Sequence, residues 1–417
     1  MTPLTPTQHE QGSLKAWVVC LTAGLFFFYE FFQLNSFDVL NKIFREHFVL
    51  QASQVSLLSS VFLWANLLFL IPAGILLDHF SVRRVMLSIL FVCLVGVVCL
   101  AFGEQVWMLL LGRFLTGLGN ACCFLSCVIL VSRWFPFKQH GLVMGLMVTL
   151  AFVGGMLAHM PFVYVIQQVG WREALGFDVV MGVMFWLLIY CHIDECAQSK
   201  PSHQEGVLSS FAMVLKKSQT YLAGLYTALL NLPIMVLCAL WGANYLEVVH
   251  GVTTIHAAQI VSMLFFGSMI GCPLLGWLSD WQGRRKPVMW LGILGTLVCF
   301  LPFWWSGHLS IFMLNMVFLG LGFFTSAQVI SYPLLAESHL PAHVGEATAV
   351  ASLIIMGTAA VGQLLFGFLM QYHASNVPLL DYAAADFQYA MRMFPVAVLL
   401  AAVVLNGIRE PKHHSSC

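Results

Sequence analysis

Along this chain apolar residues gather into runs of about twenty, separated by short polar stretches. A helix rises 1.5 Å per residue, so such a run spans the roughly 30 Å of hydrocarbon in a bilayer. The runs predict helices at 16–37, 53–77, 84–103, 106–132, 141–166 and 173–193, then at 219–247, 255–279, 287–306, 308–335, 345–371 and 385–408. Between the sixth and seventh lies a polar stretch, 194–218. The pattern predicts an all-α integral membrane protein of twelve transmembrane helices, as two six-helix pseudo-repeats. The expected division is 1–193, a cytoplasmic linker 194–218, and 219–417. Within the linker, LSSFAMVLKKS reads as an amphipathic patch lying on the inner membrane face or as a flexible tether.

The second run ends in Gly74, Ile75, Leu76, Leu77 and Asp78, followed by a turn through Ser81 and by Arg83 and Arg84. About 200 residues later the eighth run ends alike, in Gly276, Asp280, Gly283, Arg284, Arg285 and Lys286, and the recurrence marks an internal duplication. In each copy the glycine is expected to let a neighbouring helix approach. The acid sits at a helix end facing a base or a helix N-terminus, and the arginines stay in cytoplasmic water. These residues resemble the signature loop of the major facilitator superfamily. The second copy is near complete, while the first has Ser81 for the second glycine and Val82 for a base. The resemblance covers both halves. It implies that Gly74, Asp78, Arg83, Arg84, Gly276, Asp280, Gly283, Arg284 and Arg285 form gating loops. Asp78 with Arg84 and Asp280 with Arg285 would lock the inner side.

Composition agrees with a lipid-facing chain: 60% of the 417 residues are hydrophobic and 9% charged, against about 25% charged in a soluble protein. The net charge of zero gives nucleic acid no electrostatic purchase. The cysteines sit mostly inside apolar runs and read as small fillers, with no metal-ligand spacing; neither a metal nor a cofactor is expected. Residues 1–14 are polar and show no signal-peptide pattern. Lysine and arginine are concentrated in segments that would be inside if the N-terminus is inside: Lys15, Arg83, Arg84, Arg133, Lys138, the linker lysines, 284–286, Arg409 and Lys412. Lys42, Arg45, Arg172 and Arg392 are assigned outside. This bias predicts both termini in the cytoplasm. Trp107, Trp134, Trp171 and Trp290 fall at span ends, as an interfacial belt requires.

Ionisable residues inside spans are costly and usually functional. Glu30 in FFFYEFFQLN and Arg113 in LLGRFLTGLG are both about 10 Å below the outer surface by residue count, with opposite charge. They read as a proton-coupling pair or as a structural ion pair. Helical spacing places Tyr29, Gln33 and Ser36 on faces adjacent to Glu30, and Asn66 is mid-span on the second helix. The seventh helix carries Asn231, Trp241, Asn244 and Tyr245, with Pro233 permitting a bend. The tenth carries Gln328, Ser331 and Tyr332, and the eleventh Gln363. Each of these reads as a substrate contact or as a helix–helix hydrogen bond. Asp178, near Arg172 and Glu173, and His159, near Pro161, are expected to be interfacial.

The segment with Arg113, Gly117 and Gly119 also resembles the superfamily's fourth-helix motif, in which the arginine serves proton coupling; Thr116 replaces the usual glutamine. Aligning the halves on the glycines puts Met316 opposite Arg113, with Gly320 and Gly322 matching. The resemblance implies that helices one, four, seven and ten line the cavity; Tyr29, Glu30, Gln33, Arg113, Asn231, Trp241, Asn244, Tyr245, Gln328 and Tyr332 on those helices, with Asn66 on the second and Gln363 on the eleventh, are the candidate substrate contacts. The fifth helix has Gly154 and Gly155 but not the proline–glycine motif of drug antiporters. The segments FYEFFQ, WANLLF, GRFLTGLG and SRWFP resemble bacterial nutrient carriers, including phagosomal amino-acid carriers, and more faintly the lysosomal dipeptide branch. The implied function is alternating-access transport of a small polar organic solute, an amino acid or short peptide, by proton symport. Facilitated uniport of dipeptides and efflux, as of a siderophore, are the alternatives. The expected setting is a monomer in a bacterial inner membrane. No nucleotide-binding loop, nucleophile elbow or zinc-protease motif is present, so an enzyme is not expected.

Overall fold

A computed structural model describes residues 13–136, 139–193, 217–304, 309–338, 344–374 and 382–410. All regular structure among them is helical. Twelve helices are long and apolar enough to cross a membrane: Leu14–Phe48, Ala52–Leu77, Val82–Phe102, Val106–Trp134, Leu142–Val169, Trp171–His192, Ser218–His250, Thr254–Gln282, Lys286–Phe303, Ile311–Ser338, Ala347–His373 and Ala384–Gly407. Large apolar side chains such as Leu68, Phe102, Val180, Phe312 and Val403 stand exposed around them. Such a surface is stable only against hydrocarbon. The linker, apart from its last residues, lies outside the described residues, and so do His413 and His414 in the tail.

The chain divides into two compact units, Met1–Leu50 with Gln54–Ser202, and His203–Cys417 with Gln51–Ser53. In the first unit the core is built from all six helices, the second contributing Ala73 and Leu77. Phe26, Cys93, Cys123, Met147 and Ile189 are fully buried in it, and the Phe28 and Phe185 rings meet edge to face at 5.7 Å. Trp134, read as part of an interfacial belt, is buried in this core, with the Lys15 ammonium 5.6 Å from its ring centre.

The first helix runs to Phe48, well past the expected end at 37. Ser13 caps its start by accepting from the Ala16 N–H, and Val49 ends it in the left-handed region at φ 53°. Residues 38–47 look like an outer loop because they are polar. They are helical, and Asp38, Asn41 and Arg45 are buried, Asp38 beside His159.

Three spans are irregular where the sequence interrupts the backbone ladder. The fifth breaks into His140–Leu157 and Met160–Val169, with Pro161 in the first turn of the second piece, where its missing N–H costs nothing. The seventh passes from α-helix (Ser218–Pro233) through a π-helix (Ile234–Trp241) back to α-helix (Gly242–His250). Pro233 cannot donate to the preceding turn, so the ladder is already broken where the wider winding begins. The tenth has a 3-10 turn, Ser326–Ile330, between two α segments.

The internal repeat is visible in packing, with a shift from the expected alignment. A side chain at Gly117 would strike the backbone of Phe62, and one at Gly322 would strike the backbone of Leu264. Phe62 and Leu264 occupy matching places in the second and eighth helices. Gly117 therefore corresponds to Gly322, and Arg113 to the buried Phe318, not to Met316, which is half exposed.

Candidate functional site

The first helix presents Glu30, Gln33 and Phe37 at spacings of three and four, hence on one face. The fourth helix brings Arg113 to that face and the sixth brings Asp178. Glu30 is 0% exposed, Arg113 1% and Asp178 2%, so three ionisable groups lie in one buried layer. Asp178 is therefore not the interfacial anchor its neighbours Arg172 and Glu173 suggest. The phase of the sixth helix turns it inward, which its place along the chain does not reveal.

Gln33 joins the layer. Its side-chain nitrogen lies 2.8 Å from each carboxylate oxygen of Asp178. Its carbonyl accepts from Arg113 Nη1 at 3.0 Å and from Ser36 Oγ at 3.3 Å. Tyr29 donates its hydroxyl to the Asp178 carbonyl at 3.4 Å. The Arg113 guanidinium is held between two rings, Phe37 at 4.5 Å and Phe62 at 4.7 Å, a cation–π sandwich in place of water.

Glu30 and Arg113 share this layer but are not hydrogen-bonded to one another. Both carboxylate oxygens of Glu30, and Arg113 Nε and Nη2, are buried without a hydrogen-bond partner among the described residues. The Cys93 thiol lies beside Glu30. A Cβ at Gly119 would land on the Glu30 carboxyl, so a glycine leaves the space the acid occupies. A buried carboxyl with a neutral thiol beside it and no bond to the arginine is suited to taking up and giving up a proton. Asn66 is buried on the second helix, one turn beyond Phe62.

A second polar pair lies further along the first helix. His159 Nδ1 is 3.6 Å from an Asp38 oxygen, with both side chains fully buried. His159 thus belongs to the interior of the first unit and not to the interface.

In the second unit the polar residues expected to contact solute are neutral. Gln328 donates to Asn231 Oδ1 at 3.2 Å. Thr227 donates to the Gln328 carbonyl at 3.2 Å and also bonds Ser331. Gln363 donates to the Met235 carbonyl, inside the π-helix, at 2.8 Å. Trp241 is fully buried and stacks on Phe366 at 5.9 Å, while Tyr245 reaches His250 Nε2 at 3.3 Å. Asn244 is buried with its amide nitrogen unpartnered among the described residues, and Tyr332 is exposed. Asn231 and Gln328 thus form one cluster with Thr227 and Ser331. Gln363 and Trp241 serve the π segment instead.

The two signature loops differ in detail. In the first, Ser81 caps the third helix at φ −63°, and Arg83 donates to the Tyr190 carbonyl at 2.6 Å while stacking on its ring. Arg84 is exposed, and the Asp78 side chain lies outside the described residues. In the second, Gly283 ends the eighth helix at φ 62°. Arg285 joins Asp280 to Glu337, the latter at 2.6 Å, and Arg284 reaches Glu410 at 3.9 Å. A Cβ at Gly74 or Gly276 would meet no described atom within 4 Å, so neither glycine serves a close helix approach here.

The sequence profile described as Major Facilitator Superfamily matches residues 20–363 and 260–416. The probable sulfoacetate transporter SauU of Cupriavidus necator is 22% identical over 83% of this chain and 85% of its own length. The membrane sensor protein UhpC of Escherichia coli K12 is 24% identical over 86% of this chain and 87% of its own. Among solved structures, a bacterial homologue of the human lysosomal transporter Spinster, inward-facing and unoccupied, superposes with a TM-score of 0.78 at 18% identity, covering 94% of this chain and 97% of that one.

Proposed function

The chain belongs to the major facilitator superfamily, a family of membrane carriers and not of enzymes, and from that premise we propose that it moves a small polar organic solute by alternating access, driven by a proton. The observation that carries the proton reading is Glu30: fully buried beside the Cys93 thiol, not bonded to Arg113, and one helical turn from the residue that holds Arg113. A solute with a carboxylate or sulfonate suits Arg113, whose Nε and Nη2 have no hydrogen-bond partner among the described residues. Amino acids and short peptides fall in that class, as does the solute for which SauU is named. In the second unit the neutral cluster of Asn231 and Gln328, with Tyr332 and Asn244, supplies the further candidate solute contacts. The lysine and arginine bias supports cytoplasmic termini, and the bacterial relatives support a bacterial cytoplasmic membrane. The gating role belongs to the loops at Asp78 and Asp280, of which the second holds its ion pair to Arg285.

The test is uptake of radiolabelled sulfoacetate, amino acids and dipeptides into proteoliposomes under an imposed inward proton gradient. Proton symport predicts accumulation of a solute only with the gradient, and Glu30→Gln should keep exchange while losing accumulation. Equilibration that ignores the gradient would make the protein a uniporter, and uptake driven by an opposed gradient would make it an exporter. Binding without flux would favour a sensor, the role for which UhpC is named.

A further inference from the structure

The proton-coupled reading uses Glu30 and Arg113, and Asp178 is left over. It is as buried as they are, it comes from a different helix, and its carboxylate is held by a residue whose backbone holds Arg113. The layer thus contains two acids and one permanent base. The other titratable groups facing Asp178 are Tyr29 on the first helix and Cys93 on the third, both neutral in their ordinary state. On its own helix Glu173 and Arg172 lie more than a turn away, toward the helix start. With both acids ionised the layer would hold an uncompensated negative charge in low dielectric, which is strongly unfavourable. With one acid protonated it is neutral.

We propose that Asp178 is a second proton-carrying residue, so that the transported proton resides in the layer on Glu30 or on Asp178. The proposal rests on the proton-coupled reading and extends it to a residue outside the Glu30–Arg113 pair. Gln33 is the element that lets Asp178 change state. Its amide nitrogen now faces both oxygens of the acid, the arrangement that serves a carboxylate. Rotating the amide by half a turn presents its oxygen, which accepts from the O–H that forms when a proton from water binds Asp178. Arg113 keeps its bond because that bond is to the Gln33 backbone. Gly182, one turn after Asp178, leaves space for the Tyr29 ring that lies against this face.

Infrared difference spectroscopy of the purified full-length protein, titrated across pH without any solute, reads the protonated-carboxyl carbonyl stretch directly. Wild-type protein is prepared unlabelled, with carboxyl-13C aspartate, and with carboxyl-13C glutamate. Two pH-dependent components are expected, one shifted by each label. Asp178→Asn should remove the aspartate-sensitive component and Glu30→Gln the other. Asp178→Glu should turn the aspartate-sensitive component into a glutamate-sensitive one, and this distinguishes a carrier from a residue that merely packs. If Asp178→Asn does not fold, the labelled wild type and Asp178→Glu decide the matter. A glutamate-sensitive component alone would overturn the role of Asp178 and leave proton coupling through Glu30 standing. The absence of any pH-dependent component would overturn both. An aspartate-sensitive component that survives in Asp178→Glu would assign it to another aspartate, such as Asp38, and overturn the proposal.

Discussion

Replacing Gly119 by alanine would put a methyl group where the Glu30 carboxyl now sits. The acid would have to leave its place beside Cys93, and overpacking of this kind costs about 1–3 kcal/mol. Gly119→Ala is therefore expected to lower the thermal unfolding midpoint in detergent and to abolish gradient-driven accumulation, as Glu30→Gln does. Gln33 is the residue whose importance was half visible in the sequence. Its helical spacing from Glu30 placed it near the acid, but nothing in the spacing says that its side chain serves one helix and its carbonyl another. Asp178 was not legible as a site residue, because distance along the chain from Arg172 says nothing of which way a helix faces. Depth and rotation are independent, and only packing fixes the second.

Among the elements, the two loops show how one function of a turn is met by different chemistry. Ser81 sits in an ordinary extended conformation and caps the third helix with its hydroxyl, whereas Gly283 occupies the left-handed region. Ser81→Gly should cost a few tenths of a kcal/mol, the usual price of a cap replaced by glycine. Gly283→Ser should cost about 1 kcal/mol or more, because a Cβ is strained at that φ. Denaturation of the two variants side by side checks the contrast. Gln363→Leu removes the donor to the Met235 carbonyl and is expected to destabilise by about 1 kcal/mol, read as a lower unfolding midpoint. The twelve spans themselves were plain from hydropathy, with ends a few residues off. The π segment was not, since winding leaves the apolar pattern of Ile234–Trp241 unchanged. The last part of the first helix was missed for the opposite reason: its polar residues look solvated until the rest of the unit is folded around them.

At the scale of the whole chain, the duplication detected in the loops is present in the helix packing, yet the two copies have diverged in content. The position equivalent to Arg113 is Phe318, and the buried polar side chains of the second unit are amides and hydroxyls, with Asp386 at the start of the last span as the one buried acid among the described residues. The proposed division of labour predicts separable phenotypes. Asn231→Ala or Gln328→Ala should raise the half-saturation constant for solute about tenfold, the equivalent of one hydrogen bond worth ~1.4 kcal/mol, and should spare the accumulation ratio at saturating solute. Glu30→Gln should do the reverse. Uptake curves at several gradient strengths separate the two.

The concentration of buried charge in the first unit has an electrical consequence. A membrane potential acts on charge alone, at about 2.3 kcal/mol per elementary charge per 100 mV across the full thickness. Amides and hydroxyls carry no net charge, so the second unit's interior is nearly blind to voltage, while protons arriving at Glu30 traverse part of the field. On a capacitive electrode, a step in pH without solute should therefore displace charge in the wild type. The displacement should vanish when the first unit's acids are neutralised, making half of the molecule its voltmeter.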